Sequence, residues 1–242
     1  MKRFVIGLAA LKLAFLSVFF VAACQTAQLS PFEETATVEP AATPVKKAED
    51  EITRPVSEPY TGDLEIFEDK NRDKNLQIDR VMDILKITSD KTVADIGAGS
   101  GWFSTRAAKR VGAKGKVFAV EINQEYINYI NDRAKKENLK NIQTVLGTED
   151  DPKLPENSVD AALILKTYHE IAQPVKVMEK LRTALKKGAL VGIIDRNGSG
   201  GDHGLDKEIV VDEMKRAGFT LKEQYDFTKA DGMEYFLVFK VS

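Results

Sequence analysis

Beyond residue 60 the apolar positions change period repeatedly along the chain. Ile78, Val81, Met82 and Leu85 fall at i, i+3, i+4 and i+7, which predicts an amphipathic helix. Residues 91–96 form a short β-rich run that ends in a glycine turn, and a helix is expected over about 102–111. Gly112 and Gly115 punctuate the chain before a strand at 116–121, a helix at 124–137 and a third strand at 142–146. The run 159–165 is nearly all apolar, as befits a central parallel strand buried on both faces. Pro174 suits the first turn of a helix reaching about residue 186, with Gly188 stopping it and a fifth strand at 190–195. A helix over 205–217 capped by Gly218 follows. Residues 219–227 and 235–241 then read as two closing strands with no helix between them, hence a hairpin.

Strands alternating with helices imply βαβ units. The expected fold is α/β, a doubly wound, mostly parallel, seven-stranded Rossmann-like sheet with a C-terminal antiparallel hairpin. In such sheets ligands bind outside the carboxyl ends of the strands, at the switch point. That rule selects the loops that carry chemistry.

The first 60 residues read differently. Lys2 and Arg3 precede an apolar stretch from Leu13 to Val21 that ends in Val21-Ala22-Ala23-Cys24. Lys12 interrupts the apolar run, leaving it too short for a hydrocarbon core of roughly 30 Å. Pro31, Pro40, Pro44, Pro55 and Pro59 are then scattered among Ala, Thr and Glu, a composition that cannot bury enough surface to order itself. The expected organisation is a signal peptide over 1–23, a tether over 24–60 and one folded domain over 61–242. Cys24 is the only cysteine, so the folded part carries no thiol.

Val-Ala-Ala-Cys resembles the lipobox of bacterial lipoproteins. That resemblance implies acylation of Cys24, removal of residues 1–23, and attachment to a membrane through more than one acyl chain. Gln25 follows the cysteine where an aspartate would resemble an inner-membrane retention signal. The expected location is therefore the bacterial cell envelope on its periplasmic side, with the outer membrane favoured. The net charge of −2, without a basic block or interleaved aromatic and basic residues, speaks against nucleic acid as a partner. A small-molecule substrate is expected, and oligomeric state is open.

Four loops hold candidate chemistry. Asp95-Ile96-Gly97-Ala98-Gly99-Ser100-Gly101 turns from strand to helix, where glycines permit a sharp fold and close ligand approach. The dinucleotide fingerprint would place its third glycine at Trp102, but here that glycine comes one position earlier. Glu121 ends the second strand, where a carboxylate can accept both hydroxyls of a ribose. Gly147-Thr148-Glu149-Asp150-Asp151-Pro152-Lys153-Leu154-Pro155 is an acidic loop. Leu165-Lys166-Thr167-Tyr168-His169-Glu170 ends the central strand. The chain's two histidines, His169 and His203, lie on loops expected at the same sheet edge. Either could take a proton from an acceptor; equally, His169 could be packed against the next helix and His203 solvent-exposed. His169, His203, Asp202 and Glu170 are metal-ligand types, but without compact spacing no metal is expected.

Taken together these segments resemble a class I S-adenosylmethionine-dependent methyltransferase over residues 71–241. The likeness is nearest to exported bacterial methyltransferases with a lipoprotein signal and Tyr-His-Glu after the central strand. It implies S-adenosyl-L-methionine as cofactor, with Asp95 toward the methionine moiety, the turn of Gly97, Gly99 and Gly101 beneath it, Glu121 on the ribose and Ile122 on adenine. Glu149 or Asp150 would hold the adenine amino group, although the loop is longer than the family's and has Thr148 after its glycine. Backbone around Lys166 and Thr167 would face the methionine end, with Tyr168 and His169 toward the acceptor and Arg72 in a lid. The implied reaction is methyl transfer from a sulfonium to a small-molecule or lipid-like nucleophile. A different class of function is a non-catalytic, ligand-binding envelope lipoprotein that keeps the fold.

Overall fold

A computed structural model describes residues 52–57, 60, 62–199 and 203–242. Cys24, the signal segment and most of the tether lie outside the described residues. Among the described residues no helix is long and apolar enough to cross a membrane.

The domain is a seven-stranded sheet in the order β3-β2-β1-β4-β5-β7-β6. Its strands are β1 (Thr92–Ile96), β2 (Lys116–Glu121), β3 (Ile142–Leu146), β4 (Val159–Leu165), β5 (Leu185–Asp195), β6 (Phe219–Tyr225) and β7 (Tyr235–Val241). β1 to β5 pair in parallel, and β7 runs antiparallel between β5 and β6. The winding reverses between β1 and β4, so the switch point lies at their carboxyl ends. The expected fold class is the observed one.

Helices cover both faces, which is why β1 and β4 are buried along nearly their whole length. α2 (Ile78–Ile84) and α3 (Trp102–Val111) pack on Val93, Val117, Ala161 and Leu163. α5 (Pro174–Ala184) and α6 (Lys207–Arg216) pack on Ala94, Ala162, Ile164 and Ile193 on the other face. These strand positions alternate in sequence, the period-two signature of a two-sided core. α4 (Gln124–Lys136) adds Ile130 against Ala119. A short α1 (Arg72–Leu76) precedes α2.

The C-terminal half differs from expectation in two places. α5 stops at Ala184, and the chain enters β5 at once, four residues before the predicted glycine stop. β4 advances from Val159 to Ala161 while β5 advances from Leu185 to Leu190, so the intervening residues bulge out of the ladder. Gly188, at φ 83°, provides the left-handed turn within that bulge. It interrupts a strand; it does not end a helix. A 3-10 turn, Phe227–Asp231, also stands between the hairpin strands.

Two segments ahead of α1 wrap the domain. Arg54 and Ser57, assigned to the tether from composition, pack on it: Arg54 N–H donates to Ala172 C=O at 2.9 Å, and its guanidinium pairs with Glu213 at 2.5 Å. Further along, Glu68 accepts the Ser100 hydroxyl at 2.7 Å and the Arg133 guanidinium at 2.5 and 2.9 Å. That forked pairing lays the segment across the turn after β1.

Candidate active site

The turn after β1 is built on glycine. Gly97, Gly99 and Gly101 all have positive φ, at 70°, 56° and 73°. At Gly97 a Cβ would stand 2.2 Å from Thr167 Cγ2, so the close approach of the β1 and β4 loops excludes any side chain. At Gly99 nothing lies within 4 Å of that position. The first glycine is dictated by packing, and the second leaves space over exposed backbone. α3 begins directly after Gly101, with its amino end toward the same cleft.

Two carboxyls line this turn. Asp95 is buried and accepts the Ser104 hydroxyl at 2.6 Å. Burial, helped by the nearby Glu121 charge, pushes its pKa up to about 7 against the pull of Ser104 and Arg72. Glu121 accepts Gly99 N–H at 2.6 Å and Ile122 N–H at 3.1 Å. Its pKa is also raised by burial, which outweighs those amide donors. Arg72 lies over the Trp102 ring at 4.5 Å and 3.5 Å from Asp231, near enough to Asp95 for their charges to interact.

Ile122 is 52% exposed, an uncovered apolar side chain at the end of β2. The acidic loop folds into a tight turn, with Thr148 bridged to Asp151. Asp150 accepts the Thr148 hydroxyl at 2.9 Å, and Asp151 accepts Lys153 N–H at 2.7 Å. Glu149 stands exposed at the tip.

At the end of β4, Lys166 adopts φ 56°, uncommon for a residue with a side chain and a frequent mark of a functional loop. Its N–H donates to Ile194 C=O at 2.7 Å, and the Thr167 hydroxyl donates to Gly97 C=O at 3.3 Å. Tyr168 departs from expectation. Its side chain is fully buried in the core beneath α5 and α6, under the Arg54 guanidinium, and its hydroxyl has no well-formed hydrogen bond. The tight 3-10 turn at Tyr168–Glu170 sends this ring inward, buries His169 beside it and leaves Glu170 partly exposed.

His169 and His203 do come together. Their rings are 6.2 Å apart, joined through Glu170, whose Oε1 is 3.5 Å from His169 Nε2 and 3.3 Å from His203 Nδ1. His169 is buried, and its Nδ1 lies 2.8 and 3.0 Å from the two oxygens of Asp195. His203 is mostly exposed. Ser57 N–H donates to the other Glu170 oxygen at 2.8 Å. Burial alone would raise the Glu170 pKa, but Ser57 and His203 outweigh it and hold the carboxyl below its usual value.

Asp195 was not singled out from sequence, although an acid at the end of a central strand, beside the switch point, is a usable signal. Glu68 and Arg133 were also missed, since nothing local marks them.

This geometry agrees with what the chain is similar to. A family model described as a methyltransferase domain matches residues 87–227. A protein-L-isoaspartate O-methyltransferase of Methanococcoides burtonii is 30% identical over 95 residues, 39% of this chain. The chain spans about half, 46%, of that curated relative's length. The crystal structure of a SAM-dependent methyltransferase from Aquifex aeolicus superposes with a TM-score of 0.68 at 25% identity, covering 74% of this chain and 97% of that one. A fibrillarin of Aeropyrum pernix with natively bound S-adenosyl-L-methionine shares the fold at 14% identity, with a TM-score of 0.50 over 64% of this chain and 68% of its own. With more than half its length matched, the chain belongs to the methyltransferase-domain family.

Proposed function

We propose that the domain transfers a methyl group from S-adenosyl-L-methionine to a small-molecule or lipid-like acceptor at the bacterial envelope. The observation that carries this is the pairing of Glu121 with the β1 turn, since one carboxylate both holds Gly99 and faces the ribose position. The residues fit the cofactor. Gly99 offers open backbone, Ile122 an apolar face for adenine, and Glu121 an acceptor for paired hydroxyls. Asp95 and Glu121, both disfavoured as anions by burial, gain from a cationic ligand.

The cofactor, when bound, supplies a methyl group already activated on a sulfonium. What this chain adds is alignment. Thr167 ties the end of β4 to Gly97 and fixes the distance between cofactor turn and acceptor rim. His169, oriented by Asp195, and His203 bring imidazole nitrogens to that side, where in this reading one of them takes an acceptor proton. Glu149 is the better placed of the two loop acids for the adenine amino group, because Asp150 is engaged by Thr148.

Support for the location is the segment Val21-Ala22-Ala23-Cys24, which carries a lipid in this reading. Metabolic acyl labelling should mark the protein and disappear in Cys24→Ala; label persisting in that variant refutes the anchor. For the activity, calorimetry should show saturable binding of S-adenosylmethionine and S-adenosylhomocysteine and none of NAD. Absence of binding by both sulfur nucleosides at millimolar concentration overturns the proposal.

A further inference from the structure

The rim of the acceptor side holds three ligand atoms whose arrangement suits a cation better than a proton. His169, Glu170 and His203 each offer one ligand atom within 4.8 Å of the others, and Glu170 Oε1 stands 3.5 Å from His169 Nε2 and 3.3 Å from His203 Nδ1. Donor atoms bound at the usual zinc–nitrogen and zinc–oxygen distances sit roughly 3.0–3.6 Å apart around one ion. The cluster already has that spacing at its two shorter edges.

The contacts behind these residues hold them as those of a metal site are held. Asp195 engages His169 at Nδ1, so Nε2 is the nitrogen that faces the cluster and would take an ion. Asp195 is itself fully buried and fixed by the amides of His169 at 3.3 Å and Arg196 at 3.0 Å. A carboxylate behind a histidine in this way orients a ligand and raises its basicity. Glu170 is treated alike: Ser57 N–H takes Oε2 and leaves Oε1 facing both histidines. His203 is held by its own backbone, whose carbonyl accepts Arg196 Nε at 2.8 Å in a loop closed by the Ser199–Leu205 bridge.

We propose that His169, Glu170 and His203 bind a divalent first-row transition metal, zinc being the best match to a two-imidazole, one-carboxylate set, with Asp195 as the positioning residue behind His169. Three protein ligands leave a coordination position open. On the reading of the domain as a methyltransferase, that position would take an oxygen or nitrogen of the acceptor, and the class of acceptor narrows to compounds bearing such a donor. Metal binding itself does not depend on that reading.

The test uses full-length protein in detergent, without a histidine tag and stripped with chelator. Zinc is titrated by calorimetry, and cobalt by its visible absorption. One ion should bind per chain at micromolar or tighter affinity, with the stronger cobalt bands of a four- or five-coordinate site. His203→Ala removes an exposed ligand with little risk to the fold and should weaken binding by tenfold or more. Asp195→Asn should weaken it by about 10- to 100-fold through orientation alone. Absence of one-to-one binding, or equal affinity in His203→Ala, overturns the proposal. S-adenosylhomocysteine titrated into the same samples separates the two ideas, since loss of metal binding with nucleoside binding intact sinks only the cation.

Discussion

Glu121 accepts the Gly99 N–H at 2.6 Å, tying the end of β2 to the middle glycine of the turn after β1. One carboxylate thereby shapes the turn, and in the proposed function it also holds the ribose. Removing it in Glu121→Ala should weaken S-adenosylhomocysteine binding by about 10- to 100-fold, as expected for losing charge-assisted hydrogen bonds of roughly 1.5–3 kcal/mol. Calorimetry checks this, and unchanged affinity would mean that the ribose is held elsewhere.

Two glycines of the same turn should respond differently to alanine. Gly97→Ala drives a Cβ into Thr167 at a φ of 70°, so it should destabilise the fold by roughly 2–4 kcal/mol. Gly99→Ala meets no protein atom and suffers only its φ of 56°, about 1 kcal/mol. Its larger effect should be on nucleoside affinity. Thermal melts and calorimetry on both variants separate packing from binding. Equal losses of stability would contradict the assignment.

Asp95 sets a pH dependence. Its folded pKa of about 7 lies above the roughly 3.9 of an unfolded aspartate, so the folded state holds a proton that the unfolded state releases. The stability this contributes is fully present below about pH 4 and is lost as pH rises through about 7. Asp95→Asn should flatten that part of the melting-temperature profile. A cationic ligand favours the ionised carboxyl, so wild-type affinity for S-adenosylmethionine should rise across neutrality. A profile identical in the variant would remove Asp95 from the cleft's electrostatics.

Arg54 and Glu213 form a pair with side-chain exposures of only 12% and 4%. Arg54→Ala leaves a buried carboxylate without its partner and should cost roughly 3–5 kcal/mol, the usual penalty for breaking such a pair. Denaturant unfolding measures it. A change within 0.5 kcal/mol, typical of a surface substitution, would show that residues 52–57 are dispensable to the domain.

The alternation of strands and helices was legible because each element carries its own period, and the β1 turn because its glycines are dictated locally. That His169 and His203 share one sheet edge also followed, since both loops leave adjacent parallel strands; their contact through Glu170 did not. Other features depend on contacts that sequence does not order. Asp195 meets His169 only once β4 and β5 are in register. Arg54 finds Glu213 across most of the domain. Tyr168 looked available beside two polar neighbours, but its ring follows the turn into the apolar layer. The bulge at Gly188 was hidden because lysines and a glycine after a helix resemble a helix end.

The most direct check is a crystal structure with S-adenosylhomocysteine bound. Both ribose hydroxyls should lie on Glu121 and adenine against Ile122, with the sulfur facing Thr167 and His169. A nucleoside bound away from the turn at Gly97, Gly99 and Gly101, or with its ribose off Glu121, would contradict this assignment.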